Sequence, residues 1–140
     1  MRAIIFVNGM VEDYDSLRRW LQPEDYLICA NGGTRHCIAL GITPHAIVGD
    51  IDSADPTVLA DFARQGVDIE RHPPAKDQTD LELALERAIR DGAGEILLLG
   101  ALGGRLDQTL ANLHIVAQRG WPIPIRIAEG TQIAQILTGG

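Results

Sequence analysis

The sequence predicts an α/β domain of three layers, a mainly parallel sheet with helices on both faces. Three observations point there. Short β-rich runs alternate along the chain with stretches of helical periodicity, the pattern of parallel strands joined by helical crossovers. Some strands are apolar at every position, as in Ile96-Leu97-Leu98-Leu99, which fits a sheet covered on both sides. A length of 140 residues leaves room for one domain and no substantial second one.

Ala3–Asn8 reads as the first strand because its residues are almost all β-rich and apolar, and a helix over Ser16–Leu21 follows. The strand Tyr26–Ala30 precedes a helix over Thr34–Leu40, and Ala46–Val48 precedes one over Pro56–Arg64, where Ser53 and Asp55 stand in capping range of a proline at the helix start. After the strand Asp68–Arg71 comes the best-defined helix, Asp80–Asp91. There Leu81, Leu83, Ala84, Leu85, Ala88 and Ile89 form an apolar face, and Thr79 with Glu82 matches a capping box. Glu95–Leu99, a helix over Arg105–Gln118 and the strand Ile123–Ala128 complete the series. Beyond Ile127 the pattern dissolves into small and polar residues, so residues 1–130 are expected to form the domain and residues 131–140 the start of a linker.

Composition removes several function classes. Nineteen acidic against twelve basic residues give a formal net charge of -7, the wrong sign for holding nucleic acid through an overall field, so any phosphate must be gripped locally. No apolar run approaches the roughly 20 residues of a membrane span, and the N-terminus lacks a secretory signal, so a cytoplasmic location without membrane or nucleic-acid partners is expected. Cys29 and Cys37 have no C-x-x-C spacing and read as reduced, buried thiols. His36, His45, His72 and His114 form no zinc pattern, and no G-x-S-x-G elbow surrounds either serine. Trp20 and Trp121 read as core or interface residues.

In open parallel sheets ligands bind beyond the carboxyl ends of the strands, and four such places are unusual here. Asn31-Gly32-Gly33 follows the second strand and opens a helix; its glycines allow close backbone approach and left-handed geometry, for an anion or simply for a tight turn. Gly49-Asp50-Ile51-Asp52-Ser53 follows the third. If that chain stays extended, Asp50 and Asp52 point the same way and offer two hard oxygen ligands to one Mg²⁺. Lys76-Asp77-Gln78-Thr79-Asp80 enters the best helix. Lys76, the sole lysine, suits a phosphate, while Asp77 or Asp80 could complete a metal shell or merely favour the helix dipole. Gly100-Ala101-Leu102-Gly103-Gly104-Arg105-Leu106-Asp107 is a glycine-rich turn with a planar cation at its end, fit to wrap a phosphate or nucleobase. It is neither a P-loop nor a dinucleotide fingerprint.

Taken in this order, the four segments resemble the catalytic domain of the thiamine pyrophosphokinase family, whose pattern runs D-G-G, G-D-x-D-S, D-x-T-D and G-x-x-G-G-R-x-D. The resemblance spans nearly the whole chain and implies a Rossmann-like fold. It implies transfer of pyrophosphate from ATP to the hydroxyl of thiamine, giving AMP and thiamine diphosphate with Mg²⁺. By the same carry-over, Asp50, Asp52 and Asp80 stand as metal ligands, and Asp77 joins them as a catalytic carboxylate. The nucleotide side falls to Asn31, Gly32, Gly33, Lys76, Thr79, Gly100, Gly103, Gly104, Arg105 and Asp107. Two positions depart from the pattern: Asn31 stands where the family has Asp, and Gln108 where many relatives have His. The family also carries a C-terminal β-rich domain that helps build the thiamine pocket, commonly across a homodimer; its absence here would leave weak turnover or none.

Competing readings are a pyrophosphokinase for another hydroxymethyl acceptor such as a pterin, a nucleotide- or thiamine-binding module without catalysis, and a metal-dependent phosphatase with Asp50 as nucleophile.

Overall fold

The apolar runs form the middle of the sheet. In the computed structural model, which describes residues 1–9, 11, 13–50, 55–73, 79–101, 114, 120–129 and 132–136, the strands are β1 (Arg2–Phe6), β2 (Tyr26–Ala30), β3 (Ala46–Gly49), β4 (Asp68–Arg71), β5 (Glu95–Leu99), β6 (Ile125–Glu129) and β7 (Gln132–Ile136). They form one sheet in the order β4-β3-β2-β1-β5-β6-β7. All neighbours pair parallel except β6 and β7. Along the central strands successive side chains alternate between two buried faces: Ala3, Ile5, Ile28, Val48 and Leu98 on one, Ile4, Phe6, Cys29, Ile47 and Leu99 on the other. That double burial is why these strands are apolar at every position.

The helices are α1 (Tyr14–Arg18), α2 (Thr34–Leu40), α3 (Pro56–Arg64) and α4 (Asp80–Arg90). Leu17 of α1, Cys37 and Leu40 of α2, and Leu59 and Phe62 of α3 pack on the second face; Leu81, Leu83, Ala84, Leu85 and Ala88 of α4 cover the first. Right-handed crossovers dictate this split. From β1 to β4 the chain steps one way across the sheet, then α4 carries it back over β3 and β2 to the far side of β1, and reversing direction with the same hand puts the connecting helix on the opposite face. The point where the order reverses lies between β1 and β5.

The far end of α4 is tied to the edge strand by charge. The Arg87 guanidinium, mostly buried, donates to Asp91 (2.5 Å), Asp68 (2.7 Å) and Glu70 (2.9 Å). Arg90 and His72 (2.6 Å) also meet Glu70, and Tyr26 donates to Asp91. Burial opposes the charge on Arg87, and its three carboxylate partners outweigh that, raising its pKa. The same charges leave β4 with a polar edge.

Several boundaries differ from the sequence reading. The first helix begins at Tyr14 rather than Ser16, because Asp13 caps it, accepting from the Asp15 and Ser16 amides. β1 ends at Phe6, leaving Asn8 beyond the strand. β6 starts at Ile125 rather than Ile123, since Pro122 and Pro124 carry no N–H for a ladder. Where a linker is expected, Gln132–Ile136 instead form β7, antiparallel to β6. As read from sequence, α3 is capped by the Asp55 side chain (2.9 Å to the Thr57 amide) with Pro56 at its start, and Cys29 and Cys37 are free, buried thiols with sulfurs 3.4 Å apart. Trp121 is buried. The helix expected over Arg105–Gln118 lies outside the described residues apart from His114.

Leu85 is fully buried against the sheet. Leu85→Ala is expected to lower unfolding free energy by about 2–5 kcal/mol in urea melts, with the overall secondary structure retained by circular dichroism.

Candidate active site

The carboxyl ends of β1, β2, β3 and β5 meet the start of α4 on one edge, and side-chain packing there is close enough to dictate glycine. At Gly49 the backbone leaves the extended region (φ 134°), and a Cβ would lie 2.4 Å from Oδ1 of Asp80. The same Asp80 oxygen accepts from the Asp50 amide at 3.0 Å. Asp80 belongs to the first turn of α4, and Thr79 before it is the cap, accepting from the Glu82 amide at 3.2 Å. The crossover that puts α4 on its face thus delivers a carboxylate to the end of β3, thirty residues away in sequence.

The Asn31-Gly32-Gly33 turn works differently from the sequence expectation. It is one turn of 3₁₀ helix running into α2, and the positive φ falls on Asn31 (37°) rather than on either glycine. What the glycines supply is clearance: a Cβ on Gly33 would sit 2.0 Å from the Phe6 carbonyl oxygen, and one on Gly32 would sit 2.6 Å from the Asn8 carboxamide. The turn is therefore pressed flat on the end of β1. Asn8 is exposed there, and Arg35, the second residue of α2, donates to the Gly9 carbonyl at 2.7 Å.

At the end of β5, Gly100 turns the chain with φ 75°, and a Cβ there would lie 2.6 Å from the Val7 carbonyl and 2.9 Å from Nε2 of His36. His36 is fully buried, with both ring nitrogens engaged. Val7 O can only accept, so Nε2–H donates to it (2.9 Å), and Nδ1 accepts from the Tyr14 hydroxyl (2.8 Å). Burial, with Arg35 acting in the same sense, holds this imidazole below the ordinary histidine range, so it is neutral at pH 7.

Of the residues singled out from sequence, the structure brings Asp50 and Asp80 together. It sets Asn31, Gly32 and Gly33 on the same sheet edge and Gly100 at the reversal of strand order, with Thr79 occupied as a cap. Asp52, Lys76, Asp77, Gly103, Gly104, Arg105 and Asp107 lie outside the described residues. Among the described residues no three His, Cys, Asp or Glu side chains form a metal cluster. No helix there is long and apolar enough to cross a membrane. Sequence reasoning missed Asn8 and His36. A signal for His36 existed: with Gly33, Cys37 and Leu40 it falls on the buried stripe of α2, where a polar ring must find partners.

Fold and edge together define an open, mainly parallel α/β sheet with Asp50, Asp80 and four closely packed glycines at the strands' carboxyl ends, the edge where sheets of this class bind their ligands. Residues 17–125 match the family described as thiamin pyrophosphokinase, catalytic domain, and the chain belongs to that family. It is 28% identical over 110 residues to thiamine pyrophosphokinase 1 of Oryza sativa subsp. japonica, covering 64% of this chain and 42% of that one. To thiamine pyrophosphokinase of Bacillus subtilis (strain 168) it is 32% identical over 84 residues, 60% of this chain and 39% of that one. The crystal structure of thiamine pyrophosphokinase from Bacillus subtilis superposes with a TM-score of 0.72 at 27% identity, covering 92% of this chain and 61% of that chain. The one from Geobacillus thermodenitrificans gives 0.67 at 28% identity, covering 92% and 60%. The chain thus spans about two fifths of the curated relatives' length.

Two outcomes follow from this geometry. Gly33→Ala forces its methyl into the Phe6 carbonyl and is expected to cost about 3 kcal/mol or more in a urea melt. For His36 the folded pKa lies below the unfolded value of about 6.5, so the unfolded chain binds more protons between the two. Its stabilising contribution is whole above that value and is lost as pH falls through the folded one. The urea midpoint of the wild type should therefore drop from pH 7.5 to 5.5 by more than that of His36→Gln, whose amide keeps a donor and an acceptor without titrating.

Proposed function

We propose that this chain supplies the nucleotide- and metal-binding side of a thiamine diphosphokinase. In the reaction the hydroxyl oxygen of thiamine attacks the β-phosphorus of ATP, the bond from that phosphorus to the α,β-bridging oxygen breaks, and AMP leaves as thiamine diphosphate forms. The observation that carries the reading is the meeting of Asp50 and Asp80 at the end of β3, inside the matched family region. The competing pterin, binding-module and phosphatase readings have no comparable support.

The donor set suits Mg²⁺: carboxylate oxygens are hard ligands, and Gly49 leaves vacant the space its Cβ would take from the Asp80 carboxylate. Asp50 and Asp80 would hold the ion, with Asp52 as a third ligand. Bound there, it supplies charge neutralisation on the polyphosphate oxygens. The rest falls to the chain. The Asp50 amide fixes one Asp80 oxygen and so the direction of the other, and the Asn31–Gly33 and Gly100 turns are packed tightly on the ends of β1 and β5 on the same sheet edge. Lys76 and Arg105 are the cations this reading assigns to phosphate, and Asp77 a further carboxylate. The same reading places the enzyme in the cytoplasm as a homodimer, on the resemblance of its motifs alone.

Calorimetry should detect ATP binding to this chain that requires Mg²⁺, and the weak turnover expected of it, read as AMP release, should require thiamine, with thiamine diphosphate formed in equal amount. Asp50→Asn and Asp80→Asn should each weaken the Mg²⁺-dependent ATP binding about tenfold or more without loss of fold. AMP release equally fast without thiamine, or with a pterin alcohol in its place, would reject the proposed acceptor.

A further inference from the structure

The β1–β5 ladder ends at an unusual place. Its last backbone rung runs from the Val7 amide to the Leu99 carbonyl (2.8 Å). In a parallel ladder the Val7 carbonyl would next accept from the strand beside it. Here it accepts from Nε2 of His36, reached from α2, and Gly100 turns away in the left-handed region. Three groups from three elements converge there, the Val7 oxygen, the His36 ring edge and the Gly100 α-carbon, too tightly for any side chain at position 100. Tyr14 of α1 locks the ring from its other nitrogen. This is the point where strand order reverses, with Asn8 beyond the end of β1 on one side and Gly100 beyond the end of β5 on the other.

We propose that His36 is a positioning residue for the nucleotide: by taking the Val7 carbonyl it ends the β1–β5 ladder at the reversal point and fixes where Val7 and Gly100 leave the sheet before ATP arrives. A fully buried imidazole with fixed donor and acceptor directions sets the course of these two strand ends more rigidly than an apolar side chain of similar size, which would leave the Val7 carbonyl and the Tyr14 hydroxyl seeking other partners. The inference rests on the nucleotide reading given above.

The test is calorimetric titration of the chain with Mg·ATP at pH 7.5, comparing wild type, His36→Leu, His36→Gln and Leu40→Ala, each first verified as folded by circular dichroism at the titration temperature. Leu40 is buried at the other end of α2, so its truncation weakens the same helix without touching the reversal point. Affinity is expected to fall at least tenfold in His36→Leu, to return to within about threefold of wild type in His36→Gln, and to stay within about twofold in Leu40→Ala. If Leu40→Ala weakens binding as much as His36→Leu, or if His36→Leu binds like wild type, the positioning role is wrong while the nucleotide reading stands. A wild type that binds no Mg·ATP overturns both.

Discussion

The site depends on one constraint, the hand of the crossover between β4 and β5. Because the chain reverses its direction across the sheet there, α4 must lie on the face opposite α1, α2 and α3, and it must run from the carboxyl edge back to the start of β5. Its first turn then arrives at the end of β3. Asp80 can reach the Asp50 amide only because Gly49 has no side chain, so topology, a backbone conformation and a missing Cβ are three parts of one contact.

That contact joins a backbone donor to a side-chain acceptor: the Asp50 amide and the amino end of an eleven-residue helix both meet the Asp80 carboxylate. At the other end of α4 the sign is reversed, with Arg87 drawing Asp68, Glu70 and Asp91 together. The helix is thus fixed by an apolar face along its length and by charge at its far end, which keeps Asp80 in place when no ligand is bound.

Most of the architecture was legible because the sheet is buried on both sides. Continuous apolar strands such as Glu95–Leu99 and the amphipathic stripe of α4 can be recognised without tertiary information, and the Thr79 cap and the Asp55-Pro56 helix start are local signals. What escaped was set by non-local pairing. β7 exists because β6 offers it an edge, not because Gln132–Ile136 has a strong pattern of its own. Asn8 and His36 escaped for a related reason. Each is a single polar residue whose importance comes from what lies across from it, Gly32 in one case and the ends of two strands in the other.

The glycines illustrate how a motif can be recognised for the right family and explained by the wrong mechanism. Glycine in a ligand-binding turn is usually credited with backbone flexibility or with room for phosphate. At Gly33 neither is the first reason, since its φ is ordinary and the obstacle is the Phe6 carbonyl of the neighbouring strand. At Gly100 both conformation and clearance apply, the clearance again against protein, at Val7 and His36. Such glycines would be required even with no ligand bound. Their presence therefore speaks for this packing of strand ends, whereas Asp80, carried by α4 to the Asp50 amide, has no such structural necessity.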